Sequence, residues 1–335
     1  MAAGMNLLVQ EEERRGSEMR LDGIHHVTAI TGDARRNVAF YTGVLGLRLT
    51  AKSVNQDDPT VYHLFYGDED AKPGADLTFF EYPHAIPGRV GPGMVHRIVW
   101  RVRSERALDF WEARLRIQAY RVERRPDALL FSDFEGLSHE LVVDRSGDEP
   151  LMAAHPEIPR EMALMGFEGV RAFSRHPEAT RSLLKGLMGA EDRGGDAFEL
   201  RGERRGGSIA LDPSPDTPGR QSAGIVHHVA WFTTDAEQGA WLERLTDAGI
   251  PTSGIIDRHF FHSLYFREPG GVLFELATLE PGFTVDGPPE TFGREIILPP
   301  WLEGRRKEIE ARLTPLGDPR ADWPSRWAEN VGEPS

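Results

Sequence analysis

Short apolar segments bounded by glycine recur along the chain and carry ionisable residues at their centres. Two of them, residues 224–231 (GIVHHVAW) and 270–277 (GGVLFELA), are rich in β-branched and aromatic residues. Their length and composition predict two buried β-strands. A near copy of the first, residues 23–30 (GIHHVTAI), lies close to the N-terminus. Because a buried carboxylate is costly unless something compensates it, the paired histidines beside it indicate a metal site.

The glycine-bounded strand is one part of a larger repeat, in which a strand is followed by an amphipathic helix and then by two or three strands. The four opening strands are predicted at residues 23–30, 94–100, 166–173 and 224–231. The four helices are predicted to start at Asp33, Ser104, His176–Pro177 and Asp235. Four such units predict an α+β fold.

Proline and glycine suggest where the regions of the chain meet. Residues 147–160 carry three prolines, which is typical of a linker. The predicted regions are a disordered extension at 1–20, an N-terminal domain of two units at 21–146, a linker at 147–163, a C-terminal domain of two units at 164–280 and a C-terminal extension at 281–335. That extension is expected to hold one helix, residues 301–313, packed across the outside of the protein or onto another subunit.

The composition of the chain argues against several classes of function. The formal charge of −14 argues against a nucleic-acid partner, since phosphate binding needs clustered Lys and Arg. The chain has no cysteine, so histidines and carboxylates are the remaining metal ligands. The sequence contains no apolar run of transmembrane length and no signal-peptide pattern, so we expect no membrane partner and a cytoplasmic location. The oligomeric state stays open, with a homo-oligomer as one option.

Two units retain the residues that a metal needs. Aligning the repeats places His26 and His228 at one position, and Glu275 follows on the closing strand of the fourth unit. Two histidines and one carboxylate form the facial triad of non-haem Fe(II) oxygenases. A single buried histidine is more often a hydrogen-bonded core residue, but recurrence in the same register favours the ligand interpretation.

The other two units lack this set. Their corresponding positions hold Arg97, Gly169 and Glu140. We therefore expect that this second cleft binds no metal. Glu140 is interpreted as a structural partner for Arg97 or for another cation.

Longer motifs extend the pattern beyond these positions. They are residues 24–28 (IHHVT), 226–228 (VHH), 257–275 (DRHFFHSLYFREPGGVLFE) and 298–303 (LPPWLE). In these motifs the chain resembles the vicinal oxygen chelate superfamily, and within it the ring-cleaving dioxygenases that act on hydroquinones. The resemblance runs from about residue 21 to residue 313. It implies βαβββ modules that pair to form metal-holding clefts, and Fe(II) as the cofactor with Mn(II) as the substitute.

The resemblance also implies roles around the metal. By analogy the second histidine of each pair is the ligand. The expected catalytic residues are His25, His227, Arg258 and Tyr265, and the expected substrate-binding residues are Thr28, Phe260, Phe261 and His262. A histidine beside the metal could accept a hydroxyl proton, because its ordinary pKa is about 6.5. Arg258 could hold negative charge that develops on the ring.

Three functions are compatible with the sequence. The leading hypothesis is an Fe(II)-dependent extradiol-type dioxygenase that opens a hydroquinone or a catechol with O₂. A glyoxalase-like isomerase would need four ligands, commonly two glutamates, and the first unit supplies none in the register of Glu275. A non-catalytic protein that binds an aromatic drug would not need the triad.

Overall fold

The structure is a computed structural model that describes residues 19–323. It contains four successive βαβββ modules, which confirms the predicted α+β fold. Module one comprises β1 (Ile24–Thr31), α1 (Ala34–Val38), β2 (Arg48–Asn55), β3 (Asp58–Gly67) and β4 (Asp76–Glu81). Module two comprises β5 (Met94–Val102), α2 (Glu105–Ile117), β6 (Val122–Arg124), β7 (Ala128–Ser132) and β8 (Ser138–Val143).

The second half of the chain repeats this order. Module three comprises β9 (Phe167–Phe173), α3 (Pro177–Ser182), β10 (Glu191–Gly194), β11 (Ala197–Arg201) and β12 (Gly206–Asp212). Module four comprises β13 (Val226–Phe232), α4 (Asp235–Asp247), β14 (Thr252–Asp257), β15 (Phe261–Arg267) and β16 (Leu273–Pro281). The predicted disordered extension at 1–20 lies outside the described residues except for Met19 and Arg20.

The helices begin where the sequence predicts. The side chains of Asp33 and Ser104 accept hydrogen bonds from the backbone N–H groups of Arg36 and Ala107, which satisfies donors that a helix start leaves free. In modules one and three the helix continues into a wider π-helical segment, Ala39–Val44 and Leu183–Leu187. No helix within residues 19–323 is long and apolar enough to cross a membrane.

The modules pair first with fourth and second with third. One eight-stranded sheet has the order β14-β15-β16-β13-β1-β4-β3-β2, and the other has the order β10-β11-β12-β9-β5-β8-β7-β6. Each half of the chain thus contributes one module to each sheet. The predicted division into sequential domains at 21–146 and 164–280 stays a prediction.

The strand pair β1 and β13 forms the centre of the first sheet. The strands run antiparallel, with His26 opposite Ala230 and Thr28 opposite His228. The register shifts between Ile24 and His26, which marks a local irregularity in β1. Side chains of neighbouring strand residues normally point to opposite faces, yet this irregularity leaves neighbouring histidine rings in contact.

The C-terminal extension packs on the first sheet beside β2. Ile296 bridges to Lys52, whose ammonium group donates hydrogen bonds to the backbone carbonyls of Arg294 and Leu316. These contacts hold the residues on either side of the predicted helix 301–313 against the first sheet.

The predicted helix over residues 301–313 is wrong in its extent. The structure has a 3₁₀ turn, Glu303–Arg305, followed by one short helix, α5 (Arg306–Glu310). The prolines before residue 301 and Gly304 disfavour a longer helix. Burial of Ile309 and Leu313, rather than helix length, holds the segment.

Candidate metal centre

Three side chains that the repeat alignment selected converge at the centre of the first sheet. The Nε2 atoms of His26 and His228 lie 3.2 Å apart. Oε2 of Glu275 lies 3.2 Å from the first nitrogen and 3.0 Å from the second. All three side chains are buried, with relative exposures of 3% or less. They form the one group of three or more metal-ligating side chains that comes together within residues 19–323.

Glu275 is oriented by a neighbouring serine. Ser263 Oγ on β15 donates a hydrogen bond to Oε1 of Glu275, so Oε2 is left to face the two histidines. Within the described residues, Oε2 accepts no hydrogen bond of proper geometry. Burial raises the pKa of this carboxyl, but the facing imidazoles of His26 and His228 more than offset that effect and hold the pKa well below its usual range. The carboxyl is therefore an anion whose second oxygen faces the two imidazoles.

The proton on His26 can be assigned from its neighbours. His25 Nε2 lies 3.0 Å from the carbonyl oxygen of Thr278, and a carbonyl only accepts, so this nitrogen carries a proton. Burial, with the charge of His26, lowers the pKa of His25 to about 3, so the ring is neutral and its Nδ1 is an acceptor. That Nδ1 lies 3.0 Å from Nδ1 of His26, which must then be the donor.

The position of the Nδ1 proton indicates which nitrogen of His26 can bind a metal. With its Nδ1 proton directed at His25, His26 can bind a metal through the lone pair of Nε2, which faces Glu275 and His228. The three potential ligand atoms lie within 3.2 Å of one another, a spacing at which they can share one cation. His227 contacts His228 as His25 contacts His26, and the two Nδ1 atoms lie 2.8 Å apart. The arrangement fits a cation held by Nε2, Nε2 and Oε2.

The spacing of the three atoms fits a single bound ion. Neighbouring ligands with bonds of about 2.1 Å are about 3.0 Å apart around an octahedral ion and about 3.4 Å apart around a tetrahedral ion. The observed separations of 3.0, 3.2 and 3.2 Å lie within this range.

A cleft opens beside the triad between modules one and four. Module one contributes Ser53, Val54, Asn55, Gln56, Asp57, His63, Phe65 and Phe80 to its lining. Module four contributes Arg258, Phe260, Phe261 and Tyr265. Aromatic rings form most of the wall, and the ring centroid of Phe261 is 5.1 Å from that of His26. Aromatic side chains thus line the cleft next to the triad.

Arg258 joins the two modules at the mouth of this cleft. Its guanidinium forms a two-point ion pair with Asp57, at 3.2 and 3.0 Å, and lies 5.5 Å from the ring of Tyr265. Burial, reinforced by the charge of Glu275, raises the pKa of Tyr265, so its phenol stays protonated and can donate. A cation and a hydroxyl donor thus lie on the same side of the cleft.

His63 lines the cleft, although no motif in the sequence singles it out. Its Nε2 lies 2.9 Å from Oγ1 of Thr78, which lies 2.7 Å from Oγ1 of Thr28. Burial, with His26 and His228 nearby, lowers the pKa of His63 well below its ordinary value, so the ring is neutral. His63 is the one histidine of the cleft lining that does not belong to the triad. Aligning β3 with β15 would have identified it, because His63 corresponds to Ser263.

Some expected site residues lie elsewhere. His25 is buried behind His26, and His227 faces a separate pocket on the outside of the sheet. Thr28 is buried and reaches the cleft only through Thr78. His262 alternates away from Phe261 on β15, and its Nδ1 lies 3.0 Å from Asp235 at the start of α4. The structure therefore does not bring His262 to the cleft.

The second sheet holds no equivalent of the triad among the described residues. Arg97 Nη1 donates to Glu140 across a distance of 3.0 Å, which confirms the predicted structural role of Glu140. The ion pair occupies the position that corresponds to the metal ligands of the first sheet. The two sheets have thus diverged from a common plan.

The chain matches a known protein family over most of its length. The sequence profile of the "Glyoxalase/Bleomycin resistance protein/Dioxygenase superfamily" matches residues 23–147 and 163–276. The chain is 42% identical over 315 residues to the "Putative ring-cleaving dioxygenase MhqA" of Bacillus subtilis, covering 89% of this chain and 100% of that protein. It is 30% identical over 319 residues to the "Chlorohydroquinone/hydroquinone 1,2-dioxygenase" of Sphingobium indicum, covering 90% of this chain and 97% of that protein.

Solved structures give the same result for the fold. A crystal structure described as "putative dioxygenase from Bacillus subtilis" is 37% identical, with a TM-score of 0.82 over 89% of this chain and 98% of that chain. Maize glyoxalase I, at 15% identity, shares the fold alone, with a TM-score of 0.52 over 76% of this chain and 92% of its own. The chain therefore belongs to the glyoxalase, bleomycin resistance protein and dioxygenase superfamily.

Proposed function

We propose that this protein is a ring-cleaving dioxygenase that uses Fe(II) and O₂ to open an aromatic diol, with para-hydroquinones favoured over catechols. The observation that carries the proposal is the meeting of His26 Nε2, His228 Nε2 and Glu275 Oε2 within 3.2 Å of one another in a buried site. The names of the relatives that are 30% and 42% identical support the reaction class and favour the hydroquinone substrate.

His26, His228 and Glu275 would hold the metal, with Mn(II) as the substitute ion. Fe(II) held by these three residues would supply coordination sites for a phenolate and for O₂, and it would lower the pKa of the phenol. His25 and His227 would act on the ligands rather than on the substrate. Each accepts a hydrogen bond from the Nδ1 of a ligand histidine, which fixes the orientation of that ring and raises its basicity.

His63 is the residue that we propose as the proton acceptor for the diol. It is neutral and faces the cleft, and its Nε2 contacts the hydroxyl of Thr78. When the Thr78 hydroxyl donates to Nε2, the ring nitrogen on the other side carries the proton. When both threonine hydroxyls reverse direction, Nε2 donates and the other nitrogen can accept. The two threonines thus let one imidazole take a proton from a substrate hydroxyl and later return it.

Arg258 and Tyr265 would hold the negative charge that develops on the ring oxygen. Both lie on the module-four side of the cleft, and each can donate to an oxyanion. The ion pair with Asp57 keeps the guanidinium at the mouth of the cleft. Phe65, Phe80 and Phe261 would pack on the faces of the ring and keep water away from it.

The isomerase alternative is less well supported. That chemistry commonly uses a second glutamate, and Thr78 stands at the module-one position that corresponds to Glu275. A threonine hydroxyl bonded to Thr28 is a poor substitute for a carboxylate ligand. The three-ligand set therefore favours the dioxygenase.

An oxygen-electrode assay tests the proposal. Protein loaded with Fe(II) under anaerobic conditions should consume O₂ when methylhydroquinone is added, and more slowly with catechol. Isomerisation of a glutathione–methylglyoxal adduct, without O₂ uptake with either diol, would reject the dioxygenase in favour of the isomerase.

A further inference from the structure

A second pocket lies on the outer side of β13, where residues from modules two, three and four meet. Its volume is about 310 Å³, and Arg175, Arg267, Gln221 and His227 are among its lining residues. Small-molecule sites commonly have volumes of about 300–1,000 Å³. Its lining within the described residues contains two arginines and no carboxylate, although the chain carries a net charge of −14. The pocket is therefore a local positive site on an acidic protein.

Arg175 is held in this pocket by two glycines. A Cβ added at Gly93 would lie 3.1 Å from Cζ of Arg175, and one added at Gly271 would lie 3.1 Å from its Nη1. Both glycines have positive φ angles, of 82° and 108°, so other residues would also be strained there. The backbone thus leaves room for the guanidinium to lie against it. Within residues 19–323 this guanidinium has no carboxylate within 4.0 Å, and Arg267 donates only to the carbonyl of Gly271.

His227 adds a directed donor to the pocket. A ligand histidine must keep its lone pair on the metal-facing nitrogen, so His228, if it binds metal through Nε2, carries its proton on Nδ1. It then donates to Nδ1 of His227 across 2.8 Å. A neutral His227 must carry its own proton on Nε2. In the described part of the chain that nitrogen has no hydrogen-bond partner, and the ring lines the pocket.

We propose that this pocket binds a small organic carboxylate and that His227 transmits its binding to the metal centre. Two guanidinium groups and one imidazole N–H suit a carboxylate, because arginine binds it through paired charge-assisted hydrogen bonds. Opening a diol ring converts a hydroxyl-bearing carbon into a carboxylate, so the class includes the expected product. The link to the product rests on the proposed dioxygenase function, whereas anion binding does not.

The coupling follows from the direction of the hydrogen bonds. A carboxylate that accepts from His227 Nε2 makes Nδ1 of the same ring a better acceptor. His228 then donates its Nδ1 proton more strongly, and its Nε2 becomes a stronger ligand. Hydrogen-bond chains of this kind strengthen together. Bound carboxylate should thus change the electronic environment of the metal without entering the cleft.

Isothermal titration calorimetry with muconate, a six-carbon dicarboxylate, tests the site. We expect muconate to bind the wild-type protein and the double variant R175A/R267A to bind at least tenfold more weakly. The variant R103A/R106A removes the same charge at two exposed arginines outside the pocket and should bind as the wild type does. Equal binding by R175A/R267A and the wild type would overturn the proposal.

Two further measurements test which class of ligand binds and where in the protein it binds. Inorganic phosphate that binds more tightly than muconate would overturn the assignment to a carboxylate. The variant E275Q, which removes one proposed metal ligand, should still bind muconate. Loss of muconate binding in E275Q would mean that the anion goes to the metal, and the separate site would be rejected.

Electron paramagnetic resonance of the Mn(II)-loaded protein tests the coupling independently of turnover. Muconate should alter the Mn(II) signal in the wild type and leave it unchanged in H227F. An identical change in H227F would overturn the route through His227. A protein that binds muconate in this pocket but opens no diol would retain the site and reject the proposed function.

Discussion

Thr78 occupies in module one the position that Glu275 occupies in module four. In the parallel pairing of β1 with β4, Thr78 lies opposite Thr28, two residues after His26. In the pairing of β13 with β16, Glu275 lies opposite Ala230, two residues after His228. The same comparison aligns His63 with Ser263. Phe65 pairs with Thr78 in module one and Tyr265 pairs with Glu275 in module four, and His63 and Ser263 lie two residues before Phe65 and Tyr265. In module four, Ser263 orients the proposed metal ligand Glu275. In module one, Thr78 is the hydroxyl partner of His63.

This divergence gives the two walls of the cleft different tasks. Module four supplies a carboxylate whose free oxygen faces the histidines. Module one supplies a neutral imidazole that can exchange a proton through Thr78. A glutamate in place of Thr78 would offer a fourth ligand and remove the hydroxyl partner of His63.

The metal ligands can be tested by removal. His228→Ala should lose bound metal and activity together, because two remaining ligands hold an ion far less tightly than three. Elemental analysis after dialysis measures the metal content. Glu140→Gln should keep the full metal content, since its partner is Arg97 rather than a metal. Metal loss in Glu140→Gln would place the site in the other sheet.

His63 should matter for turnover and not for metal content. We expect His63→Gln to lower kcat by about 10²–10⁴-fold, the usual contribution of a general acid or base. Thr78→Val leaves the imidazole of His63 but removes its hydroxyl partner. This variant should therefore lower kcat by a smaller factor than His63→Gln and should alter the pH profile of kcat. His262→Gln is the matched control, because that histidine pairs with Asp235 outside the cleft. A His63→Gln variant with wild-type kcat would exclude the proposed role.

The histidines behind the ligands should tune metal affinity. Replacing His25 or His227 by Phe removes the acceptor for a ligand Nδ1 proton, and such losses typically weaken metal binding by about 10–100-fold. At saturating Fe(II) the metal should still bind while turnover falls. Competition with a chelator measures the affinity. Complete loss of metal in His227→Phe would instead make His227 a ligand.

One carboxylate far from the cleft should make folding sensitive to acid. Burial raises the pKa of Asp148, but hydrogen bonds from Arg201, Arg101 and the amide of Gly206 outweigh burial and hold it below its ordinary value of 3.8. A depressed pKa stabilises the folded state above the pKa of the unfolded chain, and this stabilisation is lost as the pH falls below about 4.

Asp148→Asn should therefore destabilise the protein near neutral pH by about 1–3 kcal/mol, because it removes the charged acceptor shared by Arg101 and Arg201 while Glu168 still pairs with Arg101. Urea unfolding at several pH values measures the difference, which should narrow in acid. Asp127→Asn, at an exposed aspartate, is the control and should behave as the wild type at each pH. A difference for Asp148→Asn that stays constant with pH would contradict the assigned pKa direction.

The triad could be predicted from sequence because its members recur in strands of the same register. His26 and His228 occupy equivalent positions, and a four-fold repeat of one module restricts how they can meet. The α4 helix was also predictable to its ends, since an acidic start and a glycine stop bound its apolar face. Periodic patterns of this kind can be recognised in a sequence without knowledge of the tertiary fold.

Other features depend on contacts that no local pattern reveals. His63 has no repeated motif around it, and its role depends on the pairing of β3 with β4. The contact between His25 and His26 requires an irregularity in β1, because regular alternation would separate the rings. The resemblance predicts His262 in the cleft, but strand alternation directs its side chain away from the side of Phe261 and toward Asp235. The C-terminal helix was overestimated because packing of Ile309 and Leu313 replaces helix length.

The central claim is that this centre inserts O₂ into a diol ring, and isotope labelling tests it most directly. Fe(II)-loaded protein is mixed anaerobically with methylhydroquinone, ¹⁸O₂ is admitted, and the product is analysed by mass spectrometry. The account predicts a ring-opened carboxylic acid that carries both labelled oxygen atoms, with O₂ and diol consumed in equal amounts. A quinone without label, or an unchanged diol in a protein that retains its metal, would contradict it.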